Sequence, residues 1–169
     1  PSPGAHGRNT GLEHDTGKYI AFVDDDDVWL PKKLEIQIKL MKEKNIEMSA
    51  TQHYLGNGIY DPNQKYRMGN DEIYLDIIKG YFKKRNSDLF VNGMPDEITI
   101  EHQKIHNLLS TLTIVMTKDL IDKVGKFNIH KRNEDHEYWN QALNITPICF
   151  YIKIPLGYVD NKHGDGRLY

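Results

Sequence analysis

A chain of 169 residues, 38% hydrophobic and 27% charged, is long enough for one domain with its own core. The formal charge of −2 leaves no overall basic field, which excludes nucleic acid as the expected partner, and the lone Cys149 excludes an intrachain disulfide and fits a reducing compartment. No apolar run approaches the roughly 20 residues that span a bilayer, and the opening Pro1-Ser2-Pro3-Gly4 has neither Met nor an apolar signal segment, the start expected of a fragment.

The elements follow in chain order. Residues 1–17, rich in Gly with Asn9, Thr10, Asp15 and Thr16, read as a loop leading into a short helix. Tyr19 to Val23 is a short apolar run ended by acid and suits a buried strand. From Pro31 to about Lys44 the apolar residues Leu34, Ile36, Ile38 and Leu40 alternate as in a strand. The Lys, Glu, Gln, Leu and Met content favours a helix instead, with Pro31 at its first position. Met48 to Leu55 reads as a second strand, closed by a turn at Gly56-Asn57-Gly58. Residues 61–71 and 83–107 read as polar and irregular; between them Tyr74, Ile77, Ile78 and Tyr81 recur at helical spacing. Leu108 to Met116 is read as a third strand, Thr117 as the cap of a short helix ending at Gly125, and Asn133 as the cap of another. Glu134, Asp135 and Glu137 crowd that helix's first turn, where acids are favoured. Strands near Ile148–Ile154 and Leu156–Val159 precede a glycine-rich tail. The pattern is α/β, one domain over 1–169, with long loops expected to line a site.

The four consecutive residues Asp24, Asp25, Asp26 and Asp27 stand where an apolar strand ends. Two carboxylates about 4 Å apart repel by roughly 4 kcal/mol at an effective dielectric of 20, and a hard divalent cation with its preference for oxygen would offset that. In an extended chain Asp24 and Asp26 project to one side and Asp25 and Asp27 to the other, so an Asp-x-Asp pair at a strand's carboxyl end suits a shared metal and its ligand. The competing reading makes these acids solvated, or caps for the helix near Pro31.

The stretch from Gly7 to Pro31 closely resembles the family 2 glycosyltransferases of the GT-A fold: an Arg-Asn-x-Gly turn, a Gly-x-Tyr-Ile strand, and an Asp-x-Asp-Asp motif followed by an aromatic and Pro. Leu112 to Met116, Leu120 to Phe127 and Glu134 to Trp139 are similar to the family's acceptor-side segment, and His163 to Leu168 to its C-terminal histidine loop. The resemblance implies a mixed sheet flanked by helices, lacking the family's N-terminal strands. It implies inverting transfer of a sugar from a nucleotide-sugar donor, foremost a UDP-sugar, to a hydroxyl of a glycan or lipid-linked sugar in envelope polysaccharide synthesis. It implies Mn²⁺ or Mg²⁺ held by Asp24, Asp26 and His163, with Asp24 also near the donor's ribose and Asp25 beside them. Arg8, Asn9 and Arg167 would approach the nucleotide or its diphosphate, and Asp135 would be the general base, a role worth about 10²–10⁴ in rate. Trp139 and Tyr138 would offer an acceptor platform, with one of them in the core, and Trp29 would face the core beside the metal loop. Such enzymes work in the cytoplasm, at the inner face of the membrane.

Two other readings stay open at this stage. One is a non-catalytic remnant or a metal- or nucleotide-binding module. The other is a nucleotidyltransferase, a class that also places acidic pairs at strand ends.

Overall fold

The computed structural model describes residues 2–85, 88 and 90–162. In chain order the elements are α1 (Pro3–His14), β1 (Tyr19–Ala21), β2 (Val28–Trp29), α2 (Lys33–Lys44), β3 (Met48–Gly56), β4 (Arg67–Met68) and α3 (Glu72–Lys84). They continue with β5 (Glu97–Ile98), α4 (Ile100–Ile105), a 3-10 turn (Thr111–Thr113), β6 (Val115–Thr117), α5 (Lys118–Val124), α6 (Glu134–Ile145) and β7 (Cys149–Asp160). The strands form one mixed sheet in the order β1-β6-β3-β7-β2, with β4 beside β3 and β5 beside β7. The central pair, β3 and β7, is parallel, and its other neighbours run antiparallel. Met48 to Gln52 of β3 are buried without alternation, as expected of a strand covered on both faces. The expected mixed α/β architecture is therefore present.

Several elements depart from the sequence expectation. The segment read as a loop before a short helix is α1, a helix of 12 residues capped by Ser2, whose hydroxyl accepts from the Ala5 amide, with Pro3 in the first turn. Gly4, Gly7 and Gly11 each cost about 1 kcal/mol relative to Ala in a helix, so tertiary contacts hold it: the Asn9 carboxamide accepts from Phe127 N at 2.8 Å and donates to Phe127 O at 2.9 Å. Pro31 is not the first helical residue; Lys32 takes a left-handed conformation (φ 69°) and α2 begins at Lys33. The buried face of α2 is Lys33, Gln37 and Met41, spaced by four, while Leu34 is exposed.

Between 83 and 107, read as irregular, lie β5 and α4; α4 opens on a capping box in which His102 takes the place usually held by Glu or Gln. The stretch Leu108 to Met116 is not a strand throughout, since only Val115–Thr117 joins the sheet. The two strands expected after Ile148 are one, β7, and Pro155 sits in it where the register with β3 shifts, a position at which a missing N–H is tolerated. Thr117 caps α5 by accepting from Leu120 N, and Gly125 ends it with φ 86°, as the sequence indicates. Asn133 precedes α6 but its side chain makes no cap hydrogen bond.

The core centres on Phe22, Phe127, Tyr138 and Trp139. Phe127 and Tyr138 stack at 3.8 Å, and Trp139 meets Phe22 edge-on at 5.5 Å. Tyr138 and Trp139 are both buried, so the expectation of an acceptor platform fails for both: each turns inward from α6 to seal the helix against the sheet.

Candidate active site

A cavity of about 1050 Å³ opens beside the carboxyl end of β1. One wall is Arg8 with Asp24 to Asp27; facing it are Arg132, Glu134 and Asp135 at the start of α6. Further lining comes from His53 and Leu55 of β3, from Arg67, Gly69, Asn70 and Tyr74, and from Asn107 to Thr111.

The acidic run does not continue the strand. Strand β1 stops at Ala21, and the Asp27 amide donates to the Asp24 carbonyl at 3.1 Å, closing a turn over Asp25 and Asp26. The alternation expected of an extended chain is thereby replaced, and all four aspartates border the cavity.

Arg8 joins the two walls. Its Nη2 donates to Asp24 Oδ1 at 2.8 Å and its Nη1 to Glu134 Oε1 at 3.1 Å, and the Ser2 hydroxyl donates to the same Glu134 oxygen at 2.7 Å. The guanidinium lies 5.7 Å from the centre of the Phe127 ring. Both Arg8 and Glu134 are largely buried, a setting in which a guanidinium fork and carboxylates offset each other's desolvation.

Asp135 stands in the first turn of α6. Its Oδ1 accepts from the His136 amide at 2.7 Å, and its Oδ2 accepts from Asn107 Nδ2 at 3.4 Å. Asn107 Oδ1 in turn accepts from Gln103 Nε2 at 2.6 Å. Gln103 and Asn107 come from the region that periodicity dismissed as irregular; isolated amides carry no periodic signal, and only the tertiary fold brings Asn107 to Asp135.

His53 also escaped the sequence reading. Burial pushes its imidazole down to about 4, so it is neutral near pH 7. Its ring packs on Gly69, where an added Cβ would lie 2.2 Å from Nε2. Beside it, burial raises the Tyr74 phenol to about 12, and its hydroxyl donates to the Asn107 carbonyl at 3.4 Å. Arg67, at the rim, is held by the carboxylate of Asp71.

Of the residues singled out in sequence, Arg8, Asp24, Asp25, Asp26 and Asp135 border this one cavity. Asn9 lies elsewhere, spent on the Phe127 backbone. His163 and Arg167 lie outside the described residues. Trp29 sits beside the acidic loop, its indole donating to the Leu112 carbonyl at 3.1 Å. Among the described residues no three His, Cys, Asp or Glu side chains gather as a complete metal site. Adjacent hard carboxylates beside an open cavity nevertheless fit a Mg²⁺- or Mn²⁺-type ion, which takes one or two protein carboxylates and completes its shell with phosphate oxygens and water.

Comparison with known proteins agrees with this architecture. The family model described as "Glycosyl transferase family 2" matches residues 4–100, more than half of the chain. The Escherichia coli UDP-Glc:alpha-D-GlcNAc-diphosphoundecaprenol beta-1,3-glucosyltransferase WfgD is 30% identical over 152 residues, 88% of this chain and 49% of that protein. An uncharacterized glycosyltransferase of Methanocaldococcus jannaschii is 26% identical over 140 residues, 80% of this chain and 39% of its own length. The chain thus spans half or less of the length of these relatives. Among solved structures, Staphylococcus aureus TarS 1-349 superposes with a TM-score of 0.63 at 18% identity, covering 92% of this chain and 40% of that one; its complex with UDP-GlcNAc aligns equally well. At that identity the likeness concerns the fold.

Proposed function

The chain belongs to glycosyl transferase family 2, and from that premise we propose that it transfers a sugar from a UDP-sugar to a hydroxyl of a glycan or lipid-linked acceptor, with inversion at the anomeric carbon. The observation that carries this reading is the shared cavity: the Asp24–Asp27 turn and Asp135 both border it, and Arg8 bonds Asp24 on one side and Glu134, the neighbour of Asp135, on the other.

In this reading Asp135 takes the proton of the acceptor hydroxyl while that oxygen forms its bond to the anomeric carbon. The bond from the anomeric carbon to the diphosphate oxygen breaks on the opposite face, so one displacement inverts the configuration. Asn107 keeps the Asp135 carboxylate turned toward the cavity. Asp24 and Asp26, with His163, would hold Mn²⁺ or Mg²⁺, whose charge would stabilise the departing nucleoside diphosphate. Asp25 and Arg167 serve the same donor site. Arg8 acts on the donor through Asp24, and Asn9 supports Arg8's helix from behind.

The names of relatives support the substrate classes. The Escherichia coli relative is named for a UDP-glucose donor and a diphosphoundecaprenol-linked acceptor, and TarS has been solved with UDP-GlcNAc. We extend these to a role in envelope polysaccharide synthesis at the inner face of the membrane. Peripheral association is the form proposed; among the described residues no helix is long and apolar enough to cross a membrane. Family membership speaks against a nucleotidyltransferase.

The test is a calorimetric titration with UDP, with and without Mn²⁺, on the protein and its Asp26→Asn variant. Binding that requires the metal and vanishes in the variant is expected; a folded protein that binds no UDP with Mn²⁺ present would refute the donor site.

A further inference from the structure

The buried face of α2 carries two polar side chains, Lys33 and Gln37, that bond the backbone just after the cavity-lining Asn107–Thr111 segment. Lys33 is 1% exposed and Gln37 fully buried. Lys33 Nζ donates to Gln37 Oε1 and, at 3.3 Å, to the Thr113 carbonyl. Gln37 Nε2 donates to that same carbonyl at 3.0 Å and to Ser49 Oγ at 3.0 Å. One residue earlier, the Leu112 carbonyl accepts from the Trp29 indole at 3.1 Å, and Lys33 Nζ lies 5.3 Å from that indole's ring centre. The Leu112 side chain rests on Gly157, where an added Cβ would come within 2.6 Å of Leu112 Cδ1.

These contacts replace a strand ladder. The carbonyls of Leu112 and Thr113 lie in a buried segment that leaves the sheet, and buried carbonyls require donors. Ordinary packing would supply them more cheaply than an ammonium: among the described residues no carboxylate pairs with Lys33, and burial pushes it down to about 7. A buried lysine of this kind points to a positional demand. The segment it suspends carries Leu109, Ser110 and Thr111 into the cavity and continues from Asn107, the partner of Asp135. Its donors, Trp29 and Lys33, follow directly on the Asp24–Asp27 turn.

We propose that Lys33 and Gln37, with Trp29 and the seat at Gly157, are positioning residues that set the Asn107–Thr113 wall against the Asp24–Asp27 turn, and so fix how the acceptor lies relative to the donor. The inference rests on the sugar-transfer reading of the cavity. Neither side chain touches substrate; both act through the Leu112–Thr113 backbone.

Two variants disturb the wall by different routes: Lys33→Met removes the ammonium donor while keeping an unbranched stem, and Gly157→Ala pushes on Leu112. Amide hydrogen exchange across 108–114 is measured first, beside UDP binding with Mn²⁺ and sugar-transfer kinetics. In both variants exchange in that segment should rise at least about tenfold with the β3–β7 amides unchanged. UDP affinity should stay within about twofold, acceptor KM should rise and kcat should fall by about tenfold. Gln37→Glu, which keeps the Lys33 contact but loses its amide donors, should reproduce the pattern. Unchanged exchange in 108–114 overturns the mount whatever the enzyme's activity. Raised exchange with unaltered acceptor kinetics overturns its positioning role. Loss of UDP binding in the unmodified protein would instead strike the sugar-transfer reading, while the exchange data still judge the mount.

Discussion

Arg8 donates to Glu134 at 3.1 Å although 126 positions separate them, and the other arm of the same guanidinium holds Asp24 at 2.8 Å. One side chain of a glycine-rich helix thus braces the acidic turn against the start of α6, the two walls on which the candidate metal ligands and base stand.

Removing that brace leaves Glu134 buried with only the Ser2 hydroxyl. Breaking a buried pair costs on the order of 3–5 kcal/mol, reduced here because Asp24 is 39% exposed. Arg8→Met should lose about 2–3 kcal/mol in urea denaturation. Arg8→Met combined with Glu134→Gln should recover part of it, since the double variant leaves no buried charge unpaired.

Asp135→Asn keeps the shape and one of the two accepted hydrogen bonds, from His136 N or Asn107 Nδ2, but removes the proton acceptor. Its kcat should fall about 10²–10⁴-fold with UDP binding unchanged. Asn107→Ala should lower kcat by a smaller factor, about tenfold, because the carboxylate survives and only its orientation is lost. Equal losses for both would mean that Asp135 does not act as the base.

Two desolvated bases, the half-buried His53 and the buried Lys33, make stability rise with pH. The folded-state values, about 4 for His53 and about 7 for Lys33, lie below the ordinary 6.5 and 10.5. Between each pair of values the unfolded chain binds more protons, so stability climbs as pH rises through 4–6.5 and again through 7–10.5. His53 alone contributes about 3 kcal/mol across its window. Chemical denaturation as a function of pH should show the acid slope flattened in His53→Asn and the alkaline slope flattened in Lys33→Met.

Gly69→Ala should push the His53 ring out of its place, since the new Cβ would fall 2.2 Å from Nε2. Overpacking of this sort costs about 1–3 kcal/mol. Thermal melting should show the loss, and His53→Ala in the same background should relieve it.

Much of this site was legible along the chain. The run Asp24 to Asp27 after an apolar strand, and Glu134-Asp135 opening a helix, are local signals, because a strand's end and a helix's first turn are set by nearest neighbours. Helix α3 followed from spacing, α5 and α6 from their first-turn signals and α2 from composition against its alternating spacing, and the long strand β3 was equally local. Helix α1 did not: three glycines argue against it, and Ser2, Arg8 and Asn9 hold it through partners more than a hundred residues away. The polar face of α2 was equally hidden, since periodicity assumes that apolar residues turn inward, whereas Lys33 and Gln37 are buried to serve carbonyls that a strand would have satisfied.

The sequence alone therefore determined the family and the run of four aspartates, both written in consecutive residues, and offered Asp135 as a base only through the family resemblance. Only the tertiary structure decided that Asn9 braces while Arg8 bridges, that Tyr138 and Trp139 belong to the core, and that Asn107 and His53 belong to the cavity. Those assignments depend on which distant group ends up within hydrogen-bonding reach, and contact across the sheet is a property of packing that no local pattern encodes.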